Sequence, residues 1–526
     1  MRGSGVTGLS TTASPSSVSG RPLLRRRMRR RLHARFSPRG VIGASVERCS
    51  DVCDGAGSGA TSEVPHAIDP EGGALSDPPV TAAAVHVVPS LGAFDEAAIA
   101  AVCEGAGPFF TPRWFAMVEE AGLSALLGGA VDVRYVVATR DGRPAALCPV
   151  LRVRSRSVYF GYSLEKYFFS SWQTDLRRMA PALSPWIPWM RRLLAGFQRA
   201  LHVAGARTDG WLLAISPLSF RGRLVVGPGE PDGDVLRMAL IERLKDLAAE
   251  EDLPLCVYGV EGRDAPTRGA LRRADLRELF LFPDMALPVP PGGLPEYLAG
   301  FRNDRRKAIR RALRAAEAQR VRFEATRDWD GLADRIAAQY AATYGRHNED
   351  HVRAPAAFWR TLGRRLGDHA SLAVARDGDD VLAFVTELFG GGEQFQYRGG
   401  RTYDDRARRA GVHFNLAATA LQRAADRGVR LLWLGPNAWE GKHWRGAIPH
   451  PLYLHWWFPR RAPRALLLPY LRLFARVTHR LVERYERPTS GLKAETLDRA
   501  YAQLRAPAGA SPIDATRPRS TSATSA

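Results

Sequence analysis

Two stretches of this chain carry the same plan. VVATRDGRPAALCPV at 136–150 and AVARDGDDVLAFVTE at 373–387 each read as an apolar strand, an Asp-Gly turn and a second apolar strand. Each follows two segments with helical spacing, 95–105 and 112–127 ahead of the first, 332–344 and 355–366 ahead of the second. Strands joined by a tight turn pair antiparallel. A chain that repeats this order is therefore expected to hold two copies of one mixed α/β unit.

The rest of each copy follows from periodicity. In the first, strands are expected at 158–169, 212–218, 224–226 and 255–260, with helices at 190–204 and 234–250. In the second, strands fall at 394–399, 429–434 and 451–458, with a helix over 411–427. Strand-strand-strand-helix-strand is not a doubly wound order. No GxGxxG follows a strand and no GxxxxGK[ST] occurs, so dinucleotide and NTP binding are unsupported.

Between the copies lies FRNDRRKAIRRALRAAEAQRVRF at 301–323. Arg302, Arg306, Arg310 and Arg314 recur every four residues and stack along one helix face, opposite a narrow apolar stripe of Ile309, Leu313 and Ala316. Such a face suits phosphates or carboxylates, or is simply solvated. The 526 residues divide on these patterns into a tail at 1–84, domains at 85–290 and 291–462, a helical segment at 463–505 and a tail at 506–526. The first 50 residues hold eleven arginines and one acidic residue, so about half of the formal charge of +21 sits in one Ser/Gly-rich, disorder-prone tail.

The arginines at 25–31 have no apolar stretch behind them, which argues against an export signal, and Met28 is an alternative start. No segment reaches the roughly 18 apolar residues of a membrane span, so the chain is expected to be soluble and cytoplasmic. Of five cysteines only Cys49 and Cys53 form a CxxxC pair, without further Cys or His at zinc spacing. His347 and His351 lack the central Glu of HExxH. No metal site or disulfide frame is expected. Two Arg-bearing apolar stretches, 185–203 and 463–487, suit either core packing or a membrane surface.

Five segments in order, GPFFTPRWFAMVEEAGL (107–123), DGRPAALCPVLRVRS (141–155), RNDRRKAIRRALR (302–314), GVHFNLAATALQRAADRGVRLLWLGP (411–436) and GKHWRG (441–446), resemble the GNAT acyltransferases. Within them they look closest to the FemAB-like, peptidoglycan-type branch, over residues 90–460. The resemblance implies an α+β fold of two tandem GNAT-like domains, each a mixed, mostly antiparallel sheet flanked by helices. It implies transfer of an acyl or aminoacyl group to an amine acceptor, such as a peptidoglycan-type precursor or a small metabolite. The donor would be acyl-CoA or aminoacyl-tRNA, taken as a substrate by the second unit, with no tightly bound cofactor. A peripheral membrane contact is compatible with this, and no DNA partner is expected. A CoA-dependent N-acetyltransferase of a small amine or amino sugar is the alternative enzyme, and a non-catalytic anion- or nucleic-acid-binding module the alternative class.

Candidate residues follow. GNAT enzymes hold the donor pyrophosphate on a [QR]xxGx[GA] turn that opens a helix, and the matching stretch here runs from Arg408 through Gly411 to His413, which replaces the last small residue. Strand alternation puts Leu382, Phe384, Thr386 and Leu388 on one face and Ala383, Val385 and Glu387 on the other, making Glu387 a candidate base among apolar neighbours or a partner of Arg398. His413, in a first helical turn, is a candidate neutral base or donor, or a capping residue. Tyr397, beside Tyr403, is a candidate proton donor to the leaving group, or a packing residue. Lys442, His443 and Arg445, with Trp439 and Trp444, make a loop suited to an anion with aromatic stacking, and Lys442 and Arg445 match a K-x-x-R-G element of the resembled family. Arg306, Arg310 and Arg314 complete the candidate anion-binding set.

Overall fold

A computed structural model describes residues 83–127, 131–154, 210–346, 352–436, 439–460 and 491–505, with isolated positions between 162 and 203 and between 465 and 479. All described residues belong to one compact unit within 79–526. The expectations for the arginine-rich tail, Cys49 and Cys53, and His347 and His351 lie outside the described residues, as do most of 158–169, 185–203 and 463–487.

The first copy runs β1 (Ala84–Val88), α1 (Glu96–Val102), α2 (Pro112–Glu120), α3 (Leu123–Leu127), β2 (Val131–Arg140), β3 (Arg143–Val153), β4 (Trp211–Ala214), β5 (Val225–Val226), α4 (Gly233–Glu250), β6 (Leu255–Glu261), α5 (Ala265–Arg273) and β7 (Arg277–Pro288). The second runs α6 (Gly293–Ala299), α7 (Asn303–Ala318), β8 (Arg322–Thr326), α8 (Trp329–Gly345), α9 (Ala356–Leu366), β9 (Ala370–Asp377), β10 (Asp380–Gly390), β11 (Glu393–Arg401), α10 (Asp405–Arg409), α11 (Val412–Asp426), β12 (Leu431–Trp433), α12 (Trp439–His443) and β13 (Ile448–Trp457), and α13 (Ala494–Arg505) closes the described chain.

Local chemistry accounts for most of these boundaries. Asp141 (φ 51°) and Gly142 (φ 74°) both take the left-handed conformation that a two-residue hairpin turn needs. Asp95 caps α1 through Ala98 N–H, and Thr111 caps α2 through Trp114 N–H with Pro112 in the first turn. The helix expected over 112–127 is broken into α2 and α3 because Gly122 turns left-handed at φ 69°.

All described strands join one sheet of thirteen, ordered β1-β2-β3-β4-β6-β13-β7-β12-β11-β10-β9-β8, with β5 on β3. Only β4–β6 and β11–β12 pair parallel, so the sheet is mixed and mostly antiparallel. The order reads alike from both ends. β1, β2, β3, β4 and β6 match β8, β9, β10, β11 and β12, and the last strand of each copy is inserted into the other. β13 lies between β6 and β7, while β7 lies between β12 and β13. The two copies have exchanged their final strands about a pseudo-two-fold axis, where Pro283 faces Pro451 and Asp284 faces His450.

One face of the sheet is covered by α2, α8 and α9, whose Trp114, Tyr340 and Trp359 share a core with Tyr135 and Tyr258 of the first copy and Phe384 and Phe395 of the second. On the other face α4 covers the first copy, and α11 covers the second with Leu416, Ala420 and Leu421. Among the described residues no helix is long and apolar enough to cross a membrane.

Candidate active site

β11 and β12 pair through only three positions, Glu393–Leu431, Gln394–Leu432 and Phe395–Trp433. Past them β11 continues along β10 to Arg401, whereas Leu434 N–H turns to Met285 O of β7 at 2.8 Å. The two strands part, and α11 begins at the parting. Gly411 enters it at φ 55° with no side-chain cap, which leaves backbone N–H groups at the positive end of the helix dipole. A Cβ at 411 would meet only Asn415 Nδ2, at 3.7 Å, so Gly411 supplies the left-handed turn rather than room.

Cations converge on this helix start. The His413 side chain is exposed but walled by protein; this desolvation, then the charges of Arg445, Lys442 and Arg401, pushes its pKa down to about 3. Contact with water tempers the first cause, and the three cations alone fix the direction. Lys442, half-buried, donates from Nζ to Gly435 O at 2.8 Å. Burial lowers its pKa to about 7, with Asp284 opposing and Arg445 adding to the fall. Arg445 lies 5.1 Å from the Phe414 ring, Phe414 meets Trp444 edge-on at 5.9 Å, and Arg305 lies over Trp444 at 4.5 Å. Two stacked-on rings flanked by a guanidinium at each end thus join the start of α7 to the start of α11.

The structure gathers Gly411, His413, Lys442 and Arg445 and adds Arg401, Arg305 and Asp284. Other expected residues stand apart. Glu387 is fully buried beneath α11, paired with Arg423 at 2.6 Å and with Ser371 Oγ at 3.2 Å, not with Arg398. Arg423 lies ten residues along α11 from His413, about 15 Å of helix, which removes Glu387 from the convergence. A register shift between Val385 and Glu387, and another between Val381 and Ala383, interrupt the alternation; Leu382 packs with Ala383 and Val385 instead of with Phe384.

Tyr397 faces the core away from α11, against Phe109 and Trp114, and its hydroxyl donates to Leu218 O at 2.9 Å. Burial raises its pKa, with Arg398 opposing. Arg408 is exposed and spent on Asp405 at 2.8 Å. Arg306 reaches only Asn303 at 3.5 Å, and Arg310 and Arg314 are exposed on α7, which lies against α11 where Asn415 Nδ2 donates to Ala312 O at 3.3 Å.

The first copy's equivalent opening, between β4 and β6, is filled by its own chain. Ser216 N–H bonds Arg221 O at 2.8 Å, and a Cβ on Gly222 would fall 2.3 Å from Tyr258 O. The start of α4 carries Asp232 and Asp234, which disfavour an anion. Arg221, on this plug, instead enters a network that the sequence reading missed. It pairs with Asp284 and, at 2.7 Å, with Glu261; Arg263 pairs with Glu261 at 2.5 Å and bidentately with Glu393 at 2.6 and 2.9 Å; Arg430 and Trp433 Nε1 reach Glu393 at 3.0 and 2.8 Å. Three guanidiniums and three carboxylates balance inside the junction of the copies. A lone Asp in the apolar run FLFPDMALPV was the available signal.

This network sets an acid limit. Burial works against ionised Glu261, but the charges of Arg221 and Arg263 outweigh it and hold the carboxyl well below the usual range. A lowered carboxylate pKa contributes stability that is present above its unfolded value and lost as pH falls through the folded one. Buried His450, lowered to about 3, acts in the same direction below its ordinary value of 6.5. Urea melts should therefore lose on the order of 2–3 kcal/mol below about pH 4. Glu261→Gln should be less stable at pH 7 and flatten that fall; an equally steep fall in the variant would refute the assignment.

Residues 303–443 match the model of the acetyltransferase (GNAT) domain. No curated protein matches the sequence. Similar solved structures include FemX (11% identity, 66% of this chain and 90% of that one, TM-score 0.41) and a tandem GNAT protein from the clavulanic acid biosynthesis pathway (13%, 72% and 99%, TM-score 0.36). Another is the C-terminal domain of a lysylphosphatidylglycerol synthetase from Agrobacterium fabrum (15%, 49% and 80%, TM-score 0.36). The segment matched by that domain model runs from α7 to α12 and holds the parted β11–β12 pair together with α11.

Proposed function

We propose that the protein is an N-acyltransferase of FemAB-like type, whose second copy binds an activated acyl or aminoacyl donor at the start of α11 and passes the group to an amine. The observation that carries this reading is the convergence of Lys442, Arg445 and Arg401 on an uncapped helix start at the parting of β11 and β12. Acyl-CoA and aminoacyl-tRNA both present phosphate there, and both are donors found in the cytoplasm. With Glu387 neutralised by Arg423, Lys442 is the group at this helix start whose protonation changes near neutral pH. The acceptor reacts as its neutral amine, its ammonium proton having passed to water. The amine nitrogen then bonds to the acyl carbon, and the donor's thiol or ribose oxygen leaves with a proton. The acceptor is an amine of a cell-wall precursor or a small metabolite.

The test titrates the full chain with acetyl-CoA and, separately, with a pool of charged tRNA, at low and moderate salt. Saturable binding of acetyl-CoA places the chain among CoA-dependent N-acetyltransferases. Binding of charged tRNA alone supports aminoacyl transfer. Binding of neither overturns the reading and favours a non-catalytic module.

A further inference from the structure

The turn that carries Lys442 and Arg445 at the end of α12 is closed by backbone bonds. Arg445 and Ala447 N–H reach Lys442 O at 2.9 and 3.1 Å, and Gly446 N–H reaches His443 O at 2.9 Å. Two like charges placed side by side in so short a turn repel one another, so something beneath must hold them. Gly446 (φ 83°) lets the loop lie directly on an apolar floor: a Cβ there would fall 2.8 Å from Phe301 Cζ and 3.3 Å from Leu492 Cδ2. Tyr297 hydroxyl donates to Arg445 O, and its ring meets Phe301 at 5.0 Å.

Leu492 is brought here from the far end of the chain. Arg302 N–H donates to Gly491 O at 2.8 Å and Lys493 N–H to Gly300 O at 2.9 Å, bracketing an antiparallel bridge between Phe301 and Leu492. Gly491 (φ 74°) presses on Arg305, where a Cβ would meet the Arg305 Cβ at 2.9 Å, and Arg305 is the cation stacked on Trp444. Beyond it, α13 lays Gln503 O against Arg430 Nη1 at 3.0 Å, fastening the segment to the buried ion network.

We infer that residues 491–505 form a strap that completes the anion-binding site, with Leu492 as a positioning residue for Lys442 and Arg445. The inference rests on reading that loop as the donor site. The strap touches the loop from below and leaves its outer side to the ligand; its contribution is to hold two repelling cations in one arrangement before an anion arrives, so that binding costs less side-chain and loop ordering.

Hydrogen exchange of the full chain, together with titration by inorganic pyrophosphate, tests it. Leu492→Ala should speed exchange of amides in 441–447 by about tenfold or more while 131–153 keeps the wild-type rate, and should weaken pyrophosphate binding by a similar factor. Leu492→Met, close in volume, should restore both. If Leu492→Ala does not fold, the milder Leu492→Val should show the same local effect in smaller measure. Unchanged exchange in 441–447, or an equal rise in 441–447 and 131–153, would overturn the strap. The local effect together with a wild-type chain that binds no pyrophosphate would keep the strap and overturn the donor-site reading.

Discussion

Neither copy of this chain should fold alone. A fragment ending at residue 290 keeps β6 and β7 but loses β12 and β13; β6 is left with one unpaired edge and β7 with none of its partners, inside an apolar core. It also loses Glu393 and Arg430, so that Arg263 is left without its bidentate carboxylate partner in the buried ion network. Breaking one such buried pair costs about 3–5 kcal/mol, a large part of a typical folding free energy of about 5–15 kcal/mol. The fragments 79–290 and 291–526 should each lack a cooperative thermal transition in circular dichroism. Co-expressed, they should purify together as a complex with one sharp transition. A soluble monomeric fragment with a cooperative melt of its own would rule out the strand exchange as a condition of folding.

The second large effect is expected at the helix start. Arg445→Ala should weaken donor binding by roughly 10–150-fold, the value of a charge-assisted hydrogen bond of about 1.5–3 kcal/mol, without a comparable loss of stability. Lys442→Met should do more than weaken binding. In the unliganded protein Lys442 titrates at about 7 and a bound anion raises that value, so wild-type affinity is greatest below pH 7 and falls as pH rises through it. In Lys442→Met this fall should be absent. A wild-type affinity that is flat between pH 6 and 9, or an equal pH dependence in the variant, would exclude Lys442 from the donor site.

Both expectations depend on the sequence to different degrees. The hairpins at Asp141-Gly142 and Gly378, the helices expected from residues 95 and 112, and the helix at 411–427 were legible because each is decided by residues a few positions apart. Lys442 and Arg445 were legible as a pair for the same reason. β7 was not: Pro283 interrupts its apolar run, and proline reads as a mark against a central strand. The same rule cut β13 short, since Pro449 and Pro451 stand near its start. They are tolerated where the two exchanged strands meet, with Pro283 opposite Pro451. Glu387 was placed correctly on the face with Ala383 and Val385, but its partner came from α11 rather than from the hairpin, and alternation along one strand carries no information about which helix will cover it.

What the sequence determined by itself is the repeated unit, the helix that starts at Gly411 and the cationic loop at 441–446, because turn chemistry, capping and periodicity act over a few residues. The tertiary structure alone decided that the copies trade their last strands and that Arg221, Glu261, Asp284 and Glu393 share one buried network. It also decided that a strap from residue 491 onward supports the loop. Strand order and ion pairing are settled by which distant segments can bury apolar surface and neutralise charge together, and that competition has no local signature.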